Sequence, residues 1–143
     1  MMQIERVTEV DEKILEAFQK FIPELTNEKD RVPTKEDLEN VVSSPNNYLF
    51  VAEEENEIIG TLTLVFYRVP SGIKAWIEDV IVSDKARGKG VATALIWHAI
   101  NIARENKAQK VDLSSSPWRE AANNLYVKLG FEKRDSNMYR LYI

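Results

Sequence analysis

The run Ala86–Gly90, A-R-G-K-G, stands between a β-rich segment, W-I-E-D-V-I-V at 76–82, and an apolar helical pattern from Val91 to about Glu105. Two glycines one residue apart let the backbone take φ > 0 and let a ligand approach the main chain closely. The first N–H groups of the following helix have no partners within it, so they point at whatever lies before its N-terminus. The helix dipole favours an anion there, by roughly 0.3–1 kcal/mol when exposed. Arg87 and Lys89 add positive charge at the same place. A pyrophosphate fits this turn. Two other phosphate loops do not: a Rossmann fingerprint needs Gly or Ala where Thr93 stands, and a Walker loop needs wider-spaced glycines followed by Lys-Ser/Thr. A glycine turn without a ligand is the plain alternative.

The rest of the chain supplies a frame for that unit. Gln3 to Val7 reads as a short strand. Ile14, Leu15, Phe18 and Ile22 recur at helical spacing, with Pro23 expected as the stop. T-K-E-D at Thr34–Asp37 is an N-cap followed by acidic residues, and it opens a second helix ending near Ser43–Pro45. Tyr48–Ala52 and Ile58–Tyr67 flank the polar run E-E-E-N-E, a hairpin signal, and Arg68–Gly72 reads as a turn. Ile73–Val82 is a strand, Val111–Ser114 a short one, and Arg119–Leu129 a helix closed by Gly130. Phe131–Lys133 and Met138–Ile143 are expected to be strands. The order β, α, α, β, β, β, α, β, α, β, β argues for an α/β (α+β) fold, with one central sheet covered by helices on both faces. No repeat, linker or low-complexity tract divides it, so 1–143 is expected to be a single domain.

Composition narrows the chemistry. The chain has no Cys, which excludes disulfides, thiolate metal sites and a covalent acyl-enzyme on sulfur. There is one histidine, His98, so no metal is expected. The N-terminus has no apolar leader and no run approaches a membrane span; a cytoplasmic protein is the expectation. Residues 1–60 carry 15 acidic against 6 basic side chains, whereas residues 61–143 carry 8 acidic against 13 basic. Such a division suits a polyanionic cofactor and a cationic acceptor, or is simply an uneven solvated surface. Basic residues are not interleaved with aromatics, so nucleic-acid binding is not expected.

V-S-D-K-A-R-G-K-G-V-A at 82–92 resembles motif A of the GNAT acetyltransferases, Q/R-x-x-G-x-G/A, with Arg87, Gly90 and Ala92 at the motif positions. R-E-A-A-N-N-L-Y-V-K-L-G-F at 119–131 is similar to motif B, A-x-x-x-Y-x-x-x-G-F, with Ala122, Tyr126, Gly130 and Phe131 in register. The motifs come in the right order, and the preceding β-α-α-β-β order matches as well, so the resemblance spans nearly the whole chain. It implies the GNAT fold: a mixed, mostly antiparallel twisted sheet of about six to seven strands, with two parallel strands splayed apart at the cofactor site. It also implies acetyl-CoA as cosubstrate. The amides from Gly88 through Lys89, Gly90, Val91 and Ala92 to Thr93, beside Arg87, would hold the pyrophosphate. The backbone of Val80, Ile81 and Val82 would pair with the pantetheine arm, and Asn124 would add a cofactor contact. Motif B departs from a common form in carrying Arg119 where Asn often stands.

The reaction implied is transfer of an acetyl group to a primary amine of a small molecule or peptide, directly within a ternary complex. A lysine-like amine is protonated at neutral pH, and removing its proton costs about 4–5 kcal/mol. A carboxylate is the natural general base. Glu78 and Asp79 are the candidates, and alternation along the strand places them on opposite faces. W-I-E-D-V-I-V also looks like the segment in glucosamine-6-phosphate N-acetyltransferases, which favours Glu78, with Asp79 second. Tyr126 stands where the family has its acid for the departing thiolate. With a phenol near pKa 10 and a thiol near 8.5, full proton transfer is uphill by about 2 kcal/mol, so hydrogen-bond donation is the milder role.

Other residues are read more plainly. His98 is expected to pack or face solvent, Trp97 to be core, and Trp76, Trp118 and Ser114–Ser116 to be candidates for an acceptor pocket. Glu24, Glu28, Asp30, Glu36 and Asp37 are expected to flank the acceptor entrance and to suit a cationic amine. An amino-sugar phosphate would instead need cations such as Arg68, Lys74 or Arg119. A silent acyl-CoA-binding or regulatory module is the rival from another class. The assembly is expected to be a monomer or homodimer, with no membrane partner.

Overall fold

In the computed structural model, which describes residues 1–143, Met1–Leu113 and Ser114–Ile143 form two compact units. The first begins with strand β1 (Gln3–Arg6), helix α1 (Glu12–Thr26) and helix α2 (Lys35–Ser43). Asp11 caps α1 by accepting from the Ile14 N–H at 2.8 Å. Pro23 does not stop this helix but lies inside it, and the last turn runs on to Thr26 before Asn27 closes it in the left-handed conformation (φ 57°). A proline removes its own N–H bond and its ring crowds the carbonyl four residues back, and here both effects fall in the final turn, with only three helical residues to follow. Thr34 opens α2 with a complete capping box: its hydroxyl accepts from the Asp37 N–H (3.1 Å) and the Asp37 carboxylate accepts from the Thr34 N–H (2.8 Å).

Strands β2 (Asn47–Glu54), β3 (Glu57–Val69) and β4 (Gly72–Val82) follow as antiparallel neighbours. Glu55 and Asn56 both take φ > 0, at 51° and 64°, as a two-residue hairpin turn requires. A single 3-10 turn (Asp84–Ala86) leads to helix α3 (Val91–Glu105), and the two-residue β5 (Val111–Asp112) pairs parallel to β4. The result is a five-stranded mixed sheet in the order β1-β2-β3-β4-β5.

Register assigns the faces. Leu49, Val51, Thr61, Thr63 and Ile81 are aligned across β2, β3 and β4, and Leu49, Val51 and Ile81 share a buried cluster with Ile14, Phe18 and Phe21 of α1 and Leu38 of α2. The alternate residues look the other way, towards α3: Phe50 meets His98 edge-to-face at 4.8 Å. Phe50, Leu62, Leu64, Leu95 and Ile96 are the largest fully buried apolar side chains, each contributing about 1.5–3 kcal/mol of burial. The inward stripe of α3 is Val91, Leu95, Ile96, Ala99 and Ala103. Trp97 falls outside it and is 41% exposed, so it is not a core residue.

The second unit contains helix α4 (Glu120–Lys128) and no strand. The expected strands at 131–133 and 138–143 are therefore not formed, and the sheet has fewer strands than the sequence suggests. A strand needs a partner for its N–H and C=O groups; within this unit there is no sheet to join, and Met138, Tyr139, Leu141, Tyr142 and Ile143 are exposed.

Candidate active site

Strand β4 is irregular where its two carboxylates lie. Glu78 pairs with Thr63 but Ile81 pairs with Thr61, so β4 carries one extra residue between them. Asp79 has φ 51°, the mark of a bulge. Simple alternation would put Asp79 on the α3 side beside the buried Ile77; the bulge turns it out instead, and Glu78 and Asp79 are both exposed. The expectation of strict opposite faces does not survive the bulge, because it assumed an unbroken pleat. Glu78 keeps its place in register with Thr63, on the α1/α2 face, as does Trp76 opposite Val65. Although both carboxylates reach solvent, surrounding atoms crowd them. Burial, and then the Asp79 charge, raise the Glu78 pKa above its ordinary value, while a hydrogen bond from Trp76 opposes them. Burial raises Asp79 as well.

β5 pairs with β4 only at Ala75–Val111 and Trp76–Asp112. Beyond Trp76 the β4 edge from Ile77 to Val82 has no strand neighbour on that side. β5 ends at Asp112, so this stretch of β4 is an open edge whose outward N–H and C=O groups suit an extended polar chain. The side chains of Ile81 and Ser83 are buried, so Ile81 can offer only its backbone to a ligand.

The loop after β4 leaves the start of α3 without a side-chain cap. Gly88 and Gly90 take φ 79° and 78°, and a side-chain carbon at either would meet nothing within 4 Å. Gly90 is the N-cap of α3 and offers no side-chain cap, and the first turn of α3 holds no acidic residue. The N–H groups of Val91, Ala92 and Thr93 thus open the helix without a side-chain acceptor. Arg87 is tied to Asp84 at 3.1 Å, and Lys85 is paired with Glu57. Lys89 is exposed in the same loop.

In the second unit, the motif Y-x-x-x-G-F is a Schellman cap. The Phe131 N–H donates to the Tyr126 carbonyl and the Gly130 N–H to the Val127 carbonyl, both at 3.0 Å, with Gly130 at φ 104°. The rings of Tyr126 and Phe131 meet edge-to-face at 6.0 Å. Burial raises the Tyr126 pKa and the Arg119 charge lowers it, with burial the larger effect. Asn123 donates to the Ser116 carbonyl at 3.0 Å and so fixes the helix start, whereas Asn124 is exposed. Trp118 is exposed too, and the Ser115 hydroxyl is buried without a partner.

An open cleft lies between α1 and α2, lined by Ile22, Glu28, Asp30, Arg31 and Asp37 among others. It includes neither Glu78 nor the glycine loop, and Glu28 is paired with Arg31 at 3.1 Å. Glu24 and Glu36 do not line it. No group of three His, Asp or Glu residues could hold a metal ion, and no helix is long and apolar enough to cross a membrane. Gly60, which the sequence reading passed over, packs at the first turn of α3; only the three-dimensional approach of the helix reveals it.

Residues 12–131 match the family model described as acetyltransferase (GNAT) family. N-acetyltransferase 8B of Rattus norvegicus is 32% identical over 94 residues, 64% of this chain and 42% of that protein. Glucosamine 6-phosphate N-acetyltransferase of Trypanosoma brucei brucei is 33% identical over 93 residues, 63% of this chain and 61% of that one. An aminoglycoside acetyltransferase from an uncultured soil metagenomic sample, solved in complex with trehalose, has the same fold: its TM-score is 0.86 at 22% identity, covering 99% of this chain and 95% of that one. The match spans less than half the length of the mammalian N-acetyltransferase 8-type relatives, at 42–45% of each.

Proposed function

Because the chain belongs to the acetyltransferase (GNAT) family, we propose that it moves an acetyl group from acetyl-CoA to a primary amine by direct transfer in a ternary complex. The observation that carries this reading is the pairing of an uncapped helix N-terminus behind two left-handed glycines with an unpartnered β4 edge from Ile77 to Val82. The amides from Gly88 to Thr93 would receive the pyrophosphate, with Arg87 and Lys89 adding charge, and Val80–Val82 would receive the pantetheine arm. Asn124 is proposed as a further cofactor contact on the motif alone. The family match runs from 12 to 131 and so takes in most of both compact units, which supports reading 1–143 as one catalytic domain.

Glu78 is the proposed base. Its pKa, raised by burial and by the Asp79 charge, lies closer to that of an amine and so eases proton acceptance. The ammonium first gives one proton to the carboxylate, directly or through water, and the neutral nitrogen then attacks the thioester carbonyl and releases its second proton to solvent. The C–S bond then breaks and the thiolate leaves. Asp79 is second in line. Tyr126 would donate a hydrogen bond to the thiolate; a pKa raised by burial makes it a weaker acid, so donation rather than full transfer is its role.

The acceptor is proposed to be a small-molecule or peptide amine, of cationic type if Glu28, Asp30 and Asp37 serve the entrance. An amino-sugar phosphate is the second reading, favoured by the likeness to the trypanosomal enzyme. Lys74, on the same face of β4 as Glu78 and about 13 Å along the strand, would be its cation. A cytoplasmic monomer or homodimer without a metal completes the proposal. Acetyl-CoA-dependent thiol release across polyamines, aminoglycosides, amino acids, amino-sugar phosphates and peptides is the test. Turnover of one class would support the reading. Acetyl-CoA binding without turnover of any would favour a silent module.

A further inference from the structure

Gly60 lies on β3, paired with Val82 across the sheet, and looks towards α3. A Cβ built on it would sit 2.9 Å from Val91 Cγ1, 3.3 Å from the Ile81 carbonyl oxygen and 3.3 Å from Leu95 Cδ1. Ordinary carbon contacts lie at about 3.5–4.0 Å, so the first cannot stand without movement. None of the neighbours yields easily. Val91 is β-branched and stiff, Leu95 is fully buried, and the Ile81 oxygen belongs to the strand backbone. The Ser83 N–H also donates to the Ile59 carbonyl at 2.9 Å, which ties the end of β4 to the residue beside Gly60.

The three atoms around Gly60 come from the two halves of the proposed cofactor site. Val91 and Leu95 belong to the helix whose first amides face the pyrophosphate, and Ile81 belongs to the free strand edge. We propose that Gly60 is a positioning residue for acetyl-CoA: its missing side chain fixes how closely the α3 N-terminus approaches β4, and hence the span that the pyrophosphate and pantetheine arm must bridge. This inference rests on the proposed function. A ligand held at both ends senses a change in span that an interior packing site would not transmit.

The test is acetyl-CoA binding by titration calorimetry, with thermal unfolding measured in parallel. Gly60→Ala is expected to weaken acetyl-CoA by about tenfold. Read against Val91→Ala alone, Gly60→Ala/Val91→Ala, which lacks the closest atom, is expected to bind acetyl-CoA within about twofold, while both variants melt below the wild type because the valine packing is lost. Wild-type affinity in a folded Gly60→Ala would overturn the inference. If Gly60→Ala does not fold, a folded double variant that binds about tenfold weaker than Val91→Ala overturns it equally. A wild-type protein that binds no acetyl-CoA would overturn the proposed function itself, a result distinct from either.

Discussion

Gly90 separates two demands that a glycine can meet at once, conformation and access. Its backbone stands at φ 78° and ψ 17°, in the left-handed region, and a Cβ there would touch no protein atom within 4 Å. Gly90→Ala therefore adds no clash, and its cost is the left-handed conformation alone, about 1–2 kcal/mol. For a chain near this size that lowers Tm by about 2–4 °C per kcal/mol. Gly90→Asn should cost less in Tm, since Asn tolerates the left-handed region better than Ala. In acetyl-CoA binding the order reverses. The open space over Gly90 is where the pyrophosphate would approach, and the larger Asn side chain should obstruct it more. Loss of one charge-assisted amide contact is worth about 1.5–3 kcal/mol, or roughly ten- to a hundredfold in Kd. Urea or thermal unfolding and calorimetric titration of both variants read the two effects. A Gly90→Ala as stable as wild type would refute the conformational argument. A Gly90→Asn that binds acetyl-CoA at wild-type affinity would refute the access argument.

The remaining expectations concern the carboxylates, the tyrosine and a cap remote from them. The acid limb of kcat/KM should have its midpoint above the ordinary Glu value, because burial and Asp79 raise Glu78. Asp79→Asn should move that midpoint to lower pH, and Trp76→Phe should move it to higher pH. Since the folded-state pKa values of both carboxyls are raised, their contribution to stability is present at low pH and lost as pH rises through the raised values. Asp79→Asn should therefore raise Tm at neutral pH. Tyr126→Phe should lower kcat by about ten- to a hundredfold, as loss of a hydrogen bond to a thiolate would. No alkaline limb from Tyr126 should appear below pH 10, since its pKa is raised. Thr34→Ala should cost about 1 kcal/mol of stability through the lost cap. Alanine keeps the backbone N–H that chiefly lowers the Asp37 pKa, so the deficit should change little with pH.

Features whose causes are local are legible in the sequence itself. The glycine turn, the Glu55–Asn56 hairpin, the Thr34 capping box and the Gly130 cap each depend on a few consecutive residues, and each formed where its pattern lies. What escaped depends on partners distant in the chain. The bulge at Asp79 exists only relative to the register of β3, so alternation alone mispositioned that carboxylate. Gly60 looks like any strand glycine until α3 is laid against it. Trp97 lies one residue off a stripe whose centre only packing defines, and Pro23 sits late enough in α1 for the helix to pass it. The C-terminal runs have strand composition, but a strand is made by its neighbour.

The measurement that bears most directly on the central claim is thiol release from acetyl-CoA by wild-type and Glu78→Gln protein, with the best amine of the panel, from acid to alkaline pH. Wild-type turnover is expected, and in Glu78→Gln a fall in kcat of about 10²–10⁴-fold, the usual worth of a general base. Acetyl-CoA affinity should be retained, and the deficit should narrow at high pH as the amine becomes neutral without help. A Glu78→Gln variant that turns over at the wild-type rate across that range would contradict that claim.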